Sequence, residues 1–193
     1  DIRFAFCFPD LYEVGMSHLG TKILYHTLNE REDTYCERVF APWPDMEEQL
    51  RKHDIPLYAL ETKDSLGEFD ILGFTLQYEM SYTNVLNILN LSGIPLRASE
   101  RGNEYPLVIA GGPCAYNPEP LHDIIDVFQL GEGEEVLDEI LDVYKEFSNK
   151  LTKQELLLKL CTIRGVYVPS LYEPIYNADG TLKSITAKEN APE

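Results

Sequence analysis

The sequence has no apolar run long enough to cross a bilayer: its longest are strand-sized, well short of the ~20 residues a membrane helix needs. No basic-then-apolar leader precedes Asp1, so no secretory signal is read and a cytoplasmic location is expected. Because the chain opens on Asp1 without Met and runs at once into apolar Ile2, it is read as an excised segment. Basic residues are scarce, 16 Lys and Arg against 33 Asp and Glu. The resulting net charge of −17 repels phosphate backbones and anionic membranes, so neither nucleic acid nor membrane is an expected partner. Cysteine is sparse as well. Cys7, Cys36, Cys114 and Cys161 lie far apart, with no Cys-x-x-Cys and no Cys/His cluster at zinc or iron–sulfur spacing. No metal ligand is predicted, and the four are read as reduced thiols. Cys7 and Cys161 suit core positions, whereas Cys114, after a Gly-Gly-Pro turn, suits either burial or contact with a ligand.

What is present describes a compact α/β fold. Hydrophobic residues make up 44% of the 193 positions, with 12 Gly and 12 Pro spread along the chain, enough for one core plus a short appendage. Residues 2–8, IRFAFCF, are too continuously apolar for a half-wet strand and predict a central strand covered on both faces. A helix follows, with Met16, Leu19, Ile23, Leu24 and Leu28 at helical spacing and Ser17 as its expected N-cap. Strands are predicted near 35–41, 70–77, 107–110 and 126–130, and helices over 44–53, 82–91 and 135–147. Gly93 is read as a C′ glycine. Alternation with short connections predicts a doubly wound, mostly parallel sheet of flavodoxin-like or Rossmann-like type over residues 1–150. Residues 151–193 form the expected appendage. It holds a helix opened by the capping box Thr152 and Glu155, then strands at 166–168, 172–176 and 181–186 with a turn at Asp179-Gly180.

In such sheets ligands bind beyond the carboxyl ends of the strands, which selects the loops 9–16, 77–82, 111–119 and 131–134. Several familiar chemistries fail there. The dinucleotide fingerprint lacks its glycines: Gly15 precedes only Gly20, and Gly131-x-Gly133 meets Val136 where the third belongs. Glu132, Glu134 and Glu135 also place negative charge where a phosphate would sit, although a helix N-terminus accepts acids as plain capping. A phosphoacceptor domain needs an aspartate after the third strand, where Thr75 or Gln77 stands. No Gly-x-Ser-x-Gly elbow supplies a nucleophile, so no catalytic residue is predicted and the segment alone is expected to be inert.

Three loops resemble cobalamin-binding domains, whose pattern is Asp-x-His-x-x-Gly after the first strand, Ser-x-Leu at a later strand end, and a Gly-Gly pair. Asp10-Leu11-Tyr12-Glu13-Val14-Gly15 is similar to the first, Thr75-Leu76-Gln77 stands in the place of the second, and Gly111-Gly112 matches the third. The resemblance implies a cofactor site of Asp10, Tyr12, Gly15, Thr75, Gln77, Gly111, Gly112, Gly131, Glu132 and Gly133. Tyr12 departs from the pattern. A phenol with a pKa of ~10 is a poor neutral ligand, so either cobalt has no protein ligand or none binds. Tyr12 then forms the floor under a flat ligand or closes the loop against the core, and His18 is a substitute ligand or simply faces solvent. Gln77, Tyr78, Glu79 and Tyr82 suit either corrin side amides or loop packing, and Asn84, Asn87 and Asn90 describe a polar helix face.

More broadly, PDLYEVGMSHLG, FAPWPDMEEQL, FDILGFTLQYEMSYTNVLN, IAGGPCAYNPEPL, GEGEE and GVYVPS together resemble the N-terminal region of a group of uncharacterised radical-SAM proteins, over nearly the whole chain. There the region precedes a barrel whose Cys-x-x-x-Cys-x-x-Cys holds a [4Fe–4S] cluster and S-adenosylmethionine. That motif does not occur in these residues. The resemblance implies a domain that partners the barrel of its own polypeptide and either holds cobalamin or shapes the cavity. The alternative is a docking module without a cofactor. Neither oligomeric state nor substrate is legible.

Overall fold

A computed structural model describes residues 1–188, 191 and 192; of the expected passage into a barrel at residues 191–193, position 193 lies outside the described residues. Six strands form one sheet: β1 (Ile2–Phe8), β2 (Thr34–Phe40), β3 (Ile71–Thr75), β4 (Leu107–Gly111), β5 (Val127–Gln129) and β6 (Val166–Tyr167), in the order β2-β1-β3-β4-β5-β6. The first five are parallel and β6 runs antiparallel to β5. Alternation of side chains along a strand divides the core. From β1, Phe4 and Phe6 join one hydrophobic cluster, while Ala5 and Cys7 join the other. Helices α2 (Leu19–Glu30), α5 (Gly133–Phe147) and α6 (Lys153–Leu160) cover the phenylalanine face; α3 (Pro44–His53) and α4 (Tyr82–Leu91) cover the opposite one. This is the doubly wound α/β sheet expected. A short helix, α1 (Tyr12–Gly15), lies in the loop after β1, and β7 (Tyr172–Tyr176) with β8 (Leu182–Ala187) makes the C-terminal hairpin.

The start of α2 differs from expectation. Its N-cap is His18, whose Nδ1 accepts the Thr21 N–H at 3.1 Å. Ser17 instead donates its hydroxyl to the Glu13 carbonyl, because α1 uses up the preceding residues. Thr21 and Leu28 are the buried residues of α2, with Leu24 and Tyr25 packed beside them, whereas Leu19 and Ile23 face outward at 69% and 41% exposure. The Asn84-Asn87-Asn90 face is not left to solvent alone. Asn84 donates to the Pro9 carbonyl, Asn87 to Glu47, and Asn87 and Asn90 accept from Arg51, which ties α4 to α3 and to the loop after β1.

Among the described residues the buried carboxylates Glu37 and Asp126 are paired with cations, and Arg101 Nε alone is buried without a partner. Glu37 on edge strand β2 is fully buried and accepts from Arg3, the Thr62 N–H and the Thr62 hydroxyl. Alongside, the Leu60 N–H donates to the Arg38 carbonyl, so the segment before β3 covers an edge that would otherwise invite foreign strands. At the amino ends of the strands, Asp126 meets Arg101 at 3.1 Å and Lys153 at 2.9 Å, and burial lowers the Lys153 ammonium against that attraction. On the phenylalanine face, Arg31 at the end of α2 donates to Asp33 and to Asp138 and Asp142 of α5, and Lys145 of α5 reaches Asp33 at 2.6 Å.

Hydrogen bonds from Lys145 and then Arg31 hold the Asp33 carboxyl well below the usual carboxylate range. A depressed folded-state pKa contributes stability that is present above the unfolded value of about 3.9 and is lost as pH falls through the folded one. Replacing Asp33→Asn is therefore expected to cost about 1–2 kcal/mol at neutral pH. In urea denaturation, that difference from the parent chain should shrink steadily as the pH is lowered below about 4.

Candidate functional site

The slot between the first turns of α2 and α5 is a cavity of about 170 Å³ at the carboxyl ends of β1, β3, β4 and β5. Its floor is apolar, made by Phe4, Phe6 and Ile109, and its sides by Leu24 and Leu137. Glycines make it narrow and flat-walled: Gly20, Gly73, Gly111, Gly112, Gly131 and Gly133 all line it. Gly73 lies under the Phe4 ring, where a Cβ would come 2.4 Å from that ring. Gly112 has φ +97°, and a Cβ there would meet the Leu76 carbonyl at 2.9 Å. That carbonyl accepts the Cys114 N–H while the Leu76 N–H donates to Gly111, so the turn depends on close backbone approach.

Of the residues expected from sequence, Thr75, Gln77, Gly111, Gly112, Gly131, Glu132 and Gly133 converge on this slot. Asp10, Tyr12 and Gly15 do not line it. Gly15 is buried beneath Phe40 and Phe8, leaving no space for a Cβ. Tyr12 packs edge-on against Phe40, with ring centroids 5.4 Å apart, beside a separate groove lined by Trp43 and Met46. Asp10 organises its loop: its carboxylate accepts the Leu11 N–H and the Tyr78 hydroxyl, each at 2.7 Å, and that bond raises the Tyr78 pKa. Cys114 stands outside the slot near Tyr82, and burial, then Glu79, raises its thiol pKa. It has none of the electropositive surroundings of a reactive cysteine.

Two further polar side chains line the slot: Gln129, which the sequence reading did not single out, and His18, which it weighed as a substitute ligand or a solvent-facing residue. Gln129, at the end of β5, is 5% exposed and donates to the carbonyls of Gly131 and Glu132. His18 stands at the rim with its ring against Phe8. A lone amide closing the apolar strand DVFQL just before a glycine loop was the available signal for Gln129. The charge of the lining is one-sided: Glu132 and Glu134 contribute carboxylates, and no Lys or Arg is present. This disfavours a free phosphate. Among the described residues no group of three or more His, Cys, Asp or Glu could hold a metal ion, and no helix is long and apolar enough to cross a membrane.

Around this end of the sheet the loops after β1 to β4 expose large apolar side chains. Val14, Leu19, Trp43, Met80 and Tyr116 are 47–82% exposed, a concentration that marks an interaction face.

The family described as "Radical SAM proteins, N-terminal" matches residues 20–169. The chain belongs to this family. The uncharacterized protein MJ0966 of Methanocaldococcus jannaschii is 26% identical to it over 184 residues, an alignment covering 89% of the chain and 36% of that relative. The chain thus spans about a third of the relative's length. No solved structure matches it. The glycine slot of this radical SAM N-terminal domain lies largely within the matched residues, its β1 floor preceding them.

Two glycines of the slot should respond differently to a methyl group. Gly131, with φ +99° and open space around its Cβ position, should cost only backbone strain on Gly131→Ala, about 1–2 kcal/mol. Gly112→Ala adds a collision with backbone and should cost more, about 3 kcal/mol or above. Equal losses in parallel urea titrations would contradict this description of the turn.

Proposed function

We propose that this is the N-terminal, cobalamin-binding-type domain of a cytoplasmic radical-SAM enzyme. It covers the mouth of a barrel in the same polypeptide, where a [4Fe–4S] cluster and S-adenosylmethionine are held, and it carries cobalamin without a protein ligand below the cobalt. The observation that carries this reading is a flat, glycine-walled slot opening at the carboxyl edge of a parallel sheet, inside a ring of exposed apolar side chains. Family membership supports the barrel as the partner that covers this ring.

The residues fit the organic part of such a cofactor. A Cβ at Gly111 would come 2.8 Å from Gln129, and one at Gly133 would stand 3.5 Å from Leu24, so the slot exists because these side chains are missing. Thr75, Gln77, Gly111, Gly112, Gly131, Glu132 and Gly133 would hold it, the glycines by close backbone approach and the others by polar contact. The metal side is different: position 12 offers a phenol turned onto Phe40, so the loop that resembles the cobalamin pattern would supply no imidazole to the cobalt. Cobalamin, when bound, supplies a cobalt centre that carries and gives up an alkyl group. The domain's own part is to bind and orient the cofactor and to exclude water from it.

Titrating the purified chain with hydroxocobalamin should shift the visible corrin bands, and the corrin should comigrate on gel filtration. Unchanged bands and separate elution would leave the cofactor-free docking module, which the exposed apolar ring alone supports.

A further inference from the structure

The slot contains an amide oxygen that accepts nothing from the described residues. Both hydrogens of the Gln129 amide are committed, at 3.0 Å each, to the carbonyls of Gly131 and Glu132. Only an NH₂ group can face two carbonyls, so the amide cannot be flipped. Its Oε1 therefore points into the slot, between the Cβ positions of Gly111 and Gly133 at 2.8 and 3.7 Å. Among the described residues no donor reaches it. Gln129 is 5% exposed as a residue and lines the slot, so its free amide oxygen is placed to accept a donor from a ligand seated there.

Donors stand elsewhere in the same slot. His18 Nδ1 accepts the Thr21 N–H, which places the proton of the neutral ring on Nε2. The Thr75 oxygen accepts from Gln77 at 2.6 Å and keeps its own hydrogen to give. Phe4, Phe6, Leu24, Ile109 and Leu137 supply apolar surface, and Glu132 and Glu134 line the slot without a Lys or Arg.

We propose that the slot selects an aminopurine nucleoside base, its exocyclic amine donating to Gln129 Oε1 and its ring nitrogens accepting from the His18 and Thr75 side. This rests on the proposed function in taking the slot as a ligand site, and it adds a preference, among cobamides that bind there, for one whose base carries a hydrogen-bond donor. The dimethylbenzimidazole of cobalamin, once joined to its sugar, has none. The acidic mouth favours a nucleoside over a free nucleotide.

The test is isothermal titration calorimetry of the full 193-residue chain with adenosine, with purine riboside, which lacks the amine, and with two cobamides differing only in their base, adenine or dimethylbenzimidazole. Adenosine and the adenine cobamide should each bind at least about tenfold more tightly than their counterparts, and Gln129→Leu should erase that preference. Gly133→Ala is the folding control: its methyl makes ordinary contacts, 3.5 Å from Leu24, and favours the helix, yet it fills the slot and should abolish binding at undiminished stability. Equal binding of both cobamides would overturn the base selectivity while leaving the proposed function intact. Binding of adenosine but of neither cobamide would do the reverse, and binding of neither class would remove both.

Discussion

The Arg31 guanidinium ties together the two helices that flank the glycine slot. It is bound to Asp33 and to two carboxylates of α5, while Lys145 closes the circuit back to Asp33. With side-chain exposures of 18% and 20% for Arg31 and Asp33, this network is better shielded than an ordinary surface pair and worth more than one. It joins the lower parts of α2 and α5. Toward the carboxyl edge of the sheet the same helices carry Gly20 and Gly133 in their first turns, where larger side chains would have met. Charge draws the helices together at one end, and missing side chains leave a gap at the other.

The gap is narrow because the strands beneath it are arranged for flatness. Gly73 allows the Phe4 ring to lie across β3, and Gly111 leaves room for the Gln129 amide from the neighbouring strand. Gln129 in turn holds the loop of residues 131 and 132 at the slot mouth. One buried side chain thus shapes the wall and presents the acceptor. The loops after β1 and β3 are joined independently by Asp10 with Tyr78 and by Asn84 with Pro9, which explains how Asp10 shapes this edge without entering the slot.

Much of this was legible in the sequence, for identifiable reasons. A continuous apolar β1 and regular alternation of strands and helices dictate a parallel, doubly wound sheet, and the glycine loops after β4 and β5 mark the slot. Strand order was not legible, because alternation is the same for several windings. The side to which Tyr12 turns was hidden as well: it depends on α1, whose four residues carry too weak a period to detect. The same short helix moves the cap of α2 from Ser17 to His18. Leu19 and Ile23 have the spacing of a core stripe but lie outward, since the helical period cannot tell a buried face from one awaiting a partner. Gln129 escaped notice because a single polar residue at a strand end has many uses, and only its two carbonyl partners reveal which one applies.

The chain belongs to the radical SAM N-terminal family and spans about a third of its relative's length. Other cavities compete with the glycine slot for a ligand, among them the groove beside Tyr12 and Trp43 and the cleft over Arg101, Asp126 and Lys153. Amide chemical-shift mapping of the isotopically labelled chain during titration with the adenine cobamide tests the choice directly. The slot predicts shifts concentrated at Gly20, Gly111, Gly112 and residues 131–133, with Trp43 and Lys153 unmoved; shifts centred on Trp43 or Lys153, with the glycines silent, would contradict it.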